Sequence, residues 1–197
     1  MLRIILASLA SLIVPAALLA QAVAPGPSDA FQIRYAANLT LGDSIIDLTN
    51  AGTLGQNAPI CVNVYAFSPD EQEIACCSCL VSPNGLMSLS VTRDLIHHTL
   101  TGVRPSSIVI KLLAGIPSPG PSYSCDAAQP GLLAGGLRAW GTTIHTLPSG
   151  APALTETEFS PATLSSSELE RITGTCGFIQ EDGSGRGICA SCRTGAQ

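Results

Sequence analysis

Eight cysteines constrain the fold of this chain more than any other feature, because each disulfide that they form would tie together separate segments. All eight lie after residue 60, at Cys61, Cys76, Cys77, Cys79, Cys125, Cys176, Cys189 and Cys192. An even number of cysteines in an exported chain is typical of a disulfide framework, whereas a cytosolic chain would favour a metal site or catalysis. The interpretation of the cysteines therefore depends on whether the chain is exported.

The first 22 residues have the pattern of an export signal. Arg3 precedes an apolar run from Ile4 to Leu19, which is shorter than the roughly 20 residues of a membrane-spanning helix. Ala20-Gln21-Ala22 then supplies the small residues of a cleavage site. The predicted organisation is a signal peptide over 1–22, a flexible leader over 23–30, and a single β-rich domain over 31–197 with a cysteine-rich C-terminal tail.

The charge balance disfavours nucleic acid as a partner. The chain has 9 basic and 14 acidic residues, a net charge of −5, and loss of residues 1–22 removes only Arg3, which leaves −6. A protein that binds phosphate backbones needs the opposite sign. No apolar run after the signal is long enough to span a bilayer, so we expect no membrane association after cleavage. The glycine-rich residues 183–187 lack the lysine of a phosphate-binding loop, and we expect no cofactor.

Alternating polarity between turn residues predicts a mainly β domain. The clearest strand is Cys61–Phe67, and the turn residues Ser68–Gln72 lead into a partner strand over Glu73–Val81. Ile33 and Tyr35 share the apolar face of an earlier, half-buried strand. Further strands are predicted over 44–49, 86–91, 108–113 and 137–147. This pattern favours a disulfide-stabilised β-sandwich-like domain, with an α+β fold as the alternative.

Two helices are predicted within this β-rich domain. Ser165-Ser166-Ser167-Glu168 is a capping box, and apolar residues follow it at helical spacing, which indicates a helix over about 166–180. Thr92 can cap a short second helix near 93–100, which Arg104-Pro105 would end.

The hairpin around Asp70 suggests the first disulfide. If the turn is centred on Asp70, Cys61 lies opposite Cys79, and this is the favoured pair. Such a crosslink stabilises by about 3 kcal/mol in the chain-entropy account. Cys76 and Cys77 should not pair with each other, because neighbours on a strand point to opposite faces. Sequence alone leaves the remaining connectivity open.

A zinc site is the alternative interpretation of four of the cysteines. Cys76 with Cys79, and Cys189 with Cys192, have Cys-x-x-Cys spacing, and four thiolates suit tetrahedral zinc. Oxidation outside the cytoplasm works against this site, because the metal ligand is the reduced thiolate. A thiol redox site at Cys189 and Cys192 is a third interpretation, and it lacks the surrounding βαβ pattern.

Candidates for catalysis are few. The histidines are His97, His98 and His145, and Asp94 lies about one helical turn before the first two. An Asp–His contact could form there, but no Gly-x-Ser-x-Gly elbow accompanies it. We therefore predict exposed helix residues at His97 and His98, and we assign no catalytic residue.

Other polar patterns are also better explained without catalysis. Glu156 and Glu158 alternate on one strand face, which is typical of a solvated surface rather than of a glycosidase pair across a cleft. Residues 181–185 lack the alternating acids of a calcium loop. Aromatic residues make up only 4% of the chain, with Trp140 as the one tryptophan, and this scarcity weakens a carbohydrate-binding function.

Several sequence blocks carry a family resemblance. They are Ile60–Phe67, Cys76–Cys79, Pro83–Leu86, Arg138–Thr143 and Cys176–Gln180. In these blocks the chain resembles a group of exported, cysteine-rich bacterial proteins that have no assigned function. The resemblance implies export from a bacterium, and it supplies no catalytic residues.

These observations lead to an expected function without catalysis. We expect a secreted structural or protein-interaction component of the bacterial exterior, or of the periplasm. Its expected partners are itself or other envelope proteins, paired through a strand edge near residues 61–67. The alternative is an extracellular ligand- or glycan-binding module. A secreted hydrolase that uses His97 or His98 with Asp94 is less favoured.

Overall fold

The structure, a computed structural model, describes residues 26–55, 58–120, 122–182 and 187–193. The elements of this part are β1 (Phe31–Ala36), β2 (Ile45–Asn50), β3 (Ile60–Phe67), β4 (Glu73–Val81), β5 (Leu86–Ser90), β6 (Ile108–Gly115), β7 (Leu137–Thr146), β8 (Pro152–Glu158), β9 (Ser160–Pro161), α1 (Ser166–Glu181) and α2 (Ala190–Arg193). The predicted signal peptide lies outside the described residues. No helix in the described ranges is long and apolar enough to cross a membrane.

The strands form two antiparallel sheets, which confirms the predicted mainly β, sandwich-like fold. Sheet A has the order β4-β3-β6-β1-β9, and sheet B has the order β5-β2-β7-β8. The core between them is aliphatic, with Val62, Val64 and Ile110 from sheet A and Ile46 and Leu48 from sheet B fully buried. Alternating side chains of each strand fill this core, as expected for two stacked sheets.

Helix α1 adds a third layer on the outer face of sheet A. Its buried residues Ile172, Cys176 and Ile179 cluster with Tyr65 and Leu113 of the sheet. Because both faces of sheet A are covered, every residue of β3 is buried. The predicted pairing edge near residues 61–67 is therefore wrong, since β3 lies between β4 and β6.

The predicted C-terminal helix is confirmed. The Ser165 hydroxyl accepts a hydrogen bond from the Glu168 backbone N–H at 3.1 Å, so the serine half of the predicted capping box forms. The Glu168 carboxylate bonds Lys111 and Arg171. The predicted short helix near 93–100 is replaced by a single π-helical turn over Val91–Leu95. This turn ends before His97 and His98, which places both histidines outside a helix.

All eight cysteines are oxidised into four disulfides. The pairs are Cys61–Cys125, Cys76–Cys176, Cys77–Cys189 and Cys79–Cys192, with sequence separations of 64, 100, 112 and 113 residues. Each pair joins β3 or β4 to a segment far along the chain, so the disulfides fix tertiary rather than local structure. Disulfides of this kind indicate an oxidising compartment.

The favoured Cys61–Cys79 pair is wrong, and a β-bulge explains why. Phe67 pairs with Glu73, as the centred hairpin requires, but Ala66 already pairs with Ala75. Ile74 of β4 lies between these two pairs as an extra residue and shifts the register by one. Val62 rather than Cys61 therefore lies opposite Cys79. Since a one-residue slip moves a side chain to the other face of the sheet, Cys61 and Cys79 point in opposite directions.

Candidate functional site

Strand β8 has a long free edge at one side of sheet B. Strand β8 forms one side of sheet B and pairs only with β7. Phe159 N–H donates to the Ala139 carbonyl oxygen at 2.9 Å, and Leu147 N–H donates to the Ala151 carbonyl oxygen at 2.9 Å. These bonds fix the register, so that the odd-numbered residues of β8 direct their backbone groups toward β7.

The even-numbered residues of β8 direct their backbone groups away from β7. The N–H groups of Leu154, Glu156 and Glu158 therefore point outward, and no strand among the described residues pairs with this side. Pro152, at the start of β8, has no N–H to offer. The side chains of β8 are also mostly exposed, including 68% of Leu154. This edge can accept a further strand.

The edges of the other strands are partly covered or short. On β4, Ser78 N–H donates to the Gly187 carbonyl oxygen at 2.8 Å, and Cys189 N–H donates to the Ser78 carbonyl oxygen at 3.1 Å. Disulfides to Cys77 and Cys79 anchor this segment, and α2 contacts β5. Strand β9 has two residues and ends in Pro161. Within the described ranges, β8 thus presents a seven-residue edge that no other strand covers.

The side chains next to this edge are acidic and surround the one tryptophan. Trp140 of β7 lies between Asp47 of β2 and Glu158 of β8 in the sheet register, and Thr142 lies opposite Glu156. These residues lie on the side of sheet B opposite the core, since Ala139 and Gly141, the chain neighbours of Trp140, are buried in the core. Trp140 is half-buried, whereas Glu156 and Glu158 are exposed.

Few cations offset these acids. Arg138, on the same face of β7, forms an ion pair with Asp29 at 3.0 Å. Among the ion pairs of the described residues, none includes Glu156, Glu158 or Asp47. The outer face of sheet B beside β8 is therefore negatively charged.

A buried carboxyl lies on the other side of the molecule, between sheet A and α1. Glu73 is 3% exposed, and neither of its carboxyl oxygens has a hydrogen-bond partner. Burial raises the pKa of Glu73 to about 8; Arg171 and Lys111 oppose this increase, and Glu168 adds to it. The side chain is therefore protonated at neutral pH.

A charged network covers Phe67 above Glu73. Glu168 of α1 bonds Lys111 of β6, and it also accepts a hydrogen bond from Arg171 Nη2 at 2.8 Å. The Lys111 ammonium lies 4.3 Å from the centre of the Phe67 ring, and the Arg171 guanidinium lies 5.1 Å from it. Although burial opposes it, hydrogen bonding to these cations lowers the pKa of Glu168. The network anchors α1 on the sheet.

Glu73 and Glu168 differ in ionisation as a catalytic acid–base pair does, but Glu73 is buried and offers a substrate no access. One carboxyl is neutral and the other is ionised, which is the combination that acid–base catalysis uses. Cavities of about 410 Å³ and 570 Å³ open elsewhere, around Phe31 and Leu133 and around Asp126 and Gln129, and Glu73 lines neither. We therefore interpret Glu73 as structural. One sequence signal pointed to this cluster: Lys111, the only lysine, interrupts an apolar strand.

The structure does not bring together the predicted Asp94–His pair. The Asp94 carboxylate accepts hydrogen bonds from the backbone N–H of Ser90 at 2.9 Å and of Ser191 at 2.8 Å. It thereby links the turn after β5 to α2. His97 and His98 are exposed, as predicted, and contact each other. The hydrolase interpretation loses its orienting acid, because Asp94 is used to hold the backbone.

The alternative zinc site at Cys76, Cys79, Cys189 and Cys192 is not assembled. Cys76 faces α1, whereas Cys79 faces the core between the sheets together with Cys189 and Cys192. Residues three apart on a strand point to opposite faces, so these four sulfurs cannot converge on one ion. Cys189 and Cys192 also pair with β4 rather than with each other, which removes the proposed redox pair.

The remaining predicted sites gain no catalytic support. Glu156 and Glu158 are exposed on β8, which agrees with a solvated strand face. The possible calcium loop over 181–185 lies largely outside the described residues. Comparisons of the chain with protein-family models, curated proteins and solved structures gave no match.

Proposed function

We propose that this protein is an exported structural or protein-interaction component of the bacterial exterior, which joins a partner chain by strand addition at β8. The free backbone edge over Leu154, Glu156 and Glu158 is the observation that carries this proposal. Strand addition supplies affinity through main-chain hydrogen bonds, and it needs an uncovered edge of this kind.

The arrangement of the disulfides supports the proposal. Cys77–Cys189 and Cys79–Cys192 hold the segment that covers the edge of β4, so non-specific pairing is limited on that side. The four disulfides also suit a protein that must keep its shape in an oxidising space. The β4 edge is thus partly covered by a segment that two disulfides hold in place, while the β8 edge is left available.

Site-specific photocrosslinking in the producing bacterium tests this function. A photoreactive residue at Leu154 should give a covalent adduct with another polypeptide, because its outward backbone would lie against the added strand. The same residue at Ser149, in the exposed turn before β8, is the matched control and should give much less adduct. Equal labelling from both positions, or no adduct from Leu154, would contradict strand addition.

A saccharide-binding face is the second candidate function, and Trp140 is the observation that favours it. Its ring offers an apolar surface, while Asp47 and Glu158 on either side can accept hydrogen bonds from hydroxyl groups. Titration of oligosaccharides against the intrinsic fluorescence of this one tryptophan tests the idea. A binding response that Asp47→Asn and Glu158→Gln reduce would support it, and an unchanged spectrum across a glycan panel would contradict it.

A further inference from the structure

We infer that the strand added at β8 belongs to a different protein and carries basic side chains at alternate positions. This inference rests on the proposed function, and it names the chemistry of the partner. It follows from three properties of the edge: the direction of its free hydrogen-bonding groups, the charge of the side chains beside them, and the scarcity of free cations in this chain.

The hydrogen-bonding groups set the length of the partner segment. Leu154, Glu156 and Glu158 present three outward N–H groups, and Pro152 ends the ladder because it has none. Neighbouring strands lie about 4.8 Å apart, so a partner backbone at that distance would meet these donors. A segment of roughly five to seven residues covers this part of the edge at the usual strand rise.

The charges beside the edge set the side chains of the partner. Glu156 and Glu158 lie two residues apart and point to the same, outer face. Side chains on an adjacent strand that share this face come within about 5 Å of them. Lys or Arg at two alternate positions would therefore pair with both carboxylates, whereas acidic residues there would be repelled.

The other face of the added strand has different neighbours. Thr155 and Thr157 point to this side, and Thr157 already accepts a hydrogen bond from Arg34 at 3.2 Å. Residues between the basic positions would thus face hydroxyl groups rather than carboxylates. Small polar side chains such as threonine fit there.

A second copy of this chain fits the edge poorly. In an antiparallel pairing of two β8 strands, outward-bonding residues lie opposite outward-bonding residues, so the glutamates of the two copies come together or face Pro152 and Leu154. Charged residues and proline on an edge are devices that oppose self-pairing. The net charge of −5 adds a general repulsion between copies.

The cations in the strands of the chain are also engaged elsewhere. Lys111 bonds Glu168, Arg138 bonds Asp29, and Arg34 lies inside the sandwich. None of the described strands therefore offers two free cations at alternate positions. Nowhere in the sequence do two basic residues lie two positions apart, so the complementary strand comes from another protein.

Peptide binding to the purified protein, with its disulfides intact, tests this inference. Three seven-residue peptides alternate threonine with lysine, glutamine or glutamate, and binding is measured by calorimetry and by amide hydrogen exchange. The lysine peptide should bind about five- to tenfold more tightly than the glutamine peptide, as expected for two exposed ion pairs. It should protect the amides of Leu154, Glu156 and Glu158, and the glutamate peptide should bind least.

Two variants separate the side-chain and backbone contributions. Glu156→Gln with Glu158→Gln should remove the preference for lysine while leaving weak binding of all three peptides. Leu154→Pro removes an outward N–H that β7 does not use, and should weaken every peptide; Leu154→Ala is its matched control. Circular dichroism of each variant verifies that it is folded.

The outcomes distinguish this inference from the proposed function. Equal affinity for lysine and glutamine peptides, with β8 amides protected, would overturn the basic partner and leave strand addition standing. Lysine-peptide binding without protection of the β8 amides would overturn the inferred position. An adduct from Leu154 that proves to be a second copy of this chain would overturn the inference while supporting the proposed function.

Discussion

Arg34 of β1 donates hydrogen bonds to the Gly141 carbonyl oxygen at 2.7 Å and to the Thr143 hydroxyl at 2.8 Å, both on β7. Arg34 is 7% exposed, and its guanidinium thus joins sheet A to sheet B. Its Nη1 has no hydrogen-bond partner, and burial lowers the pKa of Arg34. The position is therefore sensitive to any atom added beside it.

Gly141→Ala should destabilise the protein by about 1–3 kcal/mol, because the added methyl group would overpack this buried contact. A Cβ at Gly141 would lie 2.7 Å from Arg34 Cζ, which the hydrogen bonds of Arg34 hold in place. Urea unfolding followed by circular dichroism measures the loss. Gly174→Ala is the matched control, since that Cβ would meet no atom within 4 Å; it should stabilise α1 by about 0.5–1 kcal/mol. Equal stability of Gly141→Ala and the wild type would contradict the role of Arg34.

Glu73 should make stability fall as the pH rises from acid to alkaline. Its folded-state pKa of about 8 lies above the ordinary value of 4.5, so the folded protein holds a proton that the unfolded chain releases. The stabilisation by the Glu73 proton is complete below pH 4.5, the ordinary pKa. Above pH 4.5 it decreases by about 1.4 kcal/mol per pH unit, and it is lost as the pH passes the folded-state pKa of about 8.

Glu73→Gln should remove most of this slope, because a neutral amide imitates the protonated carboxyl. Urea unfolding at a series of pH values between acid and pH 8 measures it. Glu170→Gln, which removes an exposed carboxylate from α1, is the control and should leave the slope in place. A wild-type profile that is flat over this range would show that Glu73 is not buried as described.

The disulfide pairing can be tested with single cysteine variants. Cys125→Ser should leave one free thiol at Cys61, and Cys192→Ser should leave one at Cys79. Alkylation of the unreduced, unfolded protein followed by mass spectrometry identifies the labelled residue. Loss of the Cys61–Cys125 crosslink should cost about 4 kcal/mol of stability in the chain-entropy account. A free thiol at any residue other than Cys61 in Cys125→Ser would contradict the pairing.

Asp94 should affect stability through α2. Asp94→Ala leaves the backbone N–H groups of Ser90 and Ser191 without their charged acceptor, and should cost about 1–3 kcal/mol. His97→Ala and His98→Ala change exposed side chains and should stay within about 0.5 kcal/mol of the wild type. Chemical denaturation compares the three. A large loss from either histidine variant, with none from Asp94→Ala, would reverse this assignment.

Local signals in the sequence were sufficient for several elements. The capping box at Ser165 and Glu168 depends on residues within one turn, and α1 begins where they predict. The hairpin strands β3 and β4 also follow from alternating residues around a turn with proline and aspartate. The helix cap and the hairpin depend only on residues close together in the sequence, so both can be predicted without knowledge of the tertiary structure.

The buried face of β1 could not be predicted in the same way. Alternation favours Ile33 and Tyr35 as the buried face, yet Tyr35 is 60% exposed and Arg34 is 7% exposed. The strand lies between two layers, and its inner face meets β7, whose carbonyl oxygen at Gly141 accepts from Arg34. Hydrophobicity alone cannot predict this burial, because hydrogen bonds to another sheet compensate for the lost hydration of the guanidinium.

The sequence by itself determined the β-rich class, the C-terminal helix and the stabilisation of the fold by disulfides. Each of these follows from local periodicity, a local cap or composition. The tertiary structure decided which cysteines meet and which strand edge stays open. Both depend on register: the one-residue bulge after Ala66 turned Cys61 away from Cys79, and the order of strands placed β3 inside the sheet and β8 at its side. Register is a long-range property, because a single added residue exchanges the two faces of a strand.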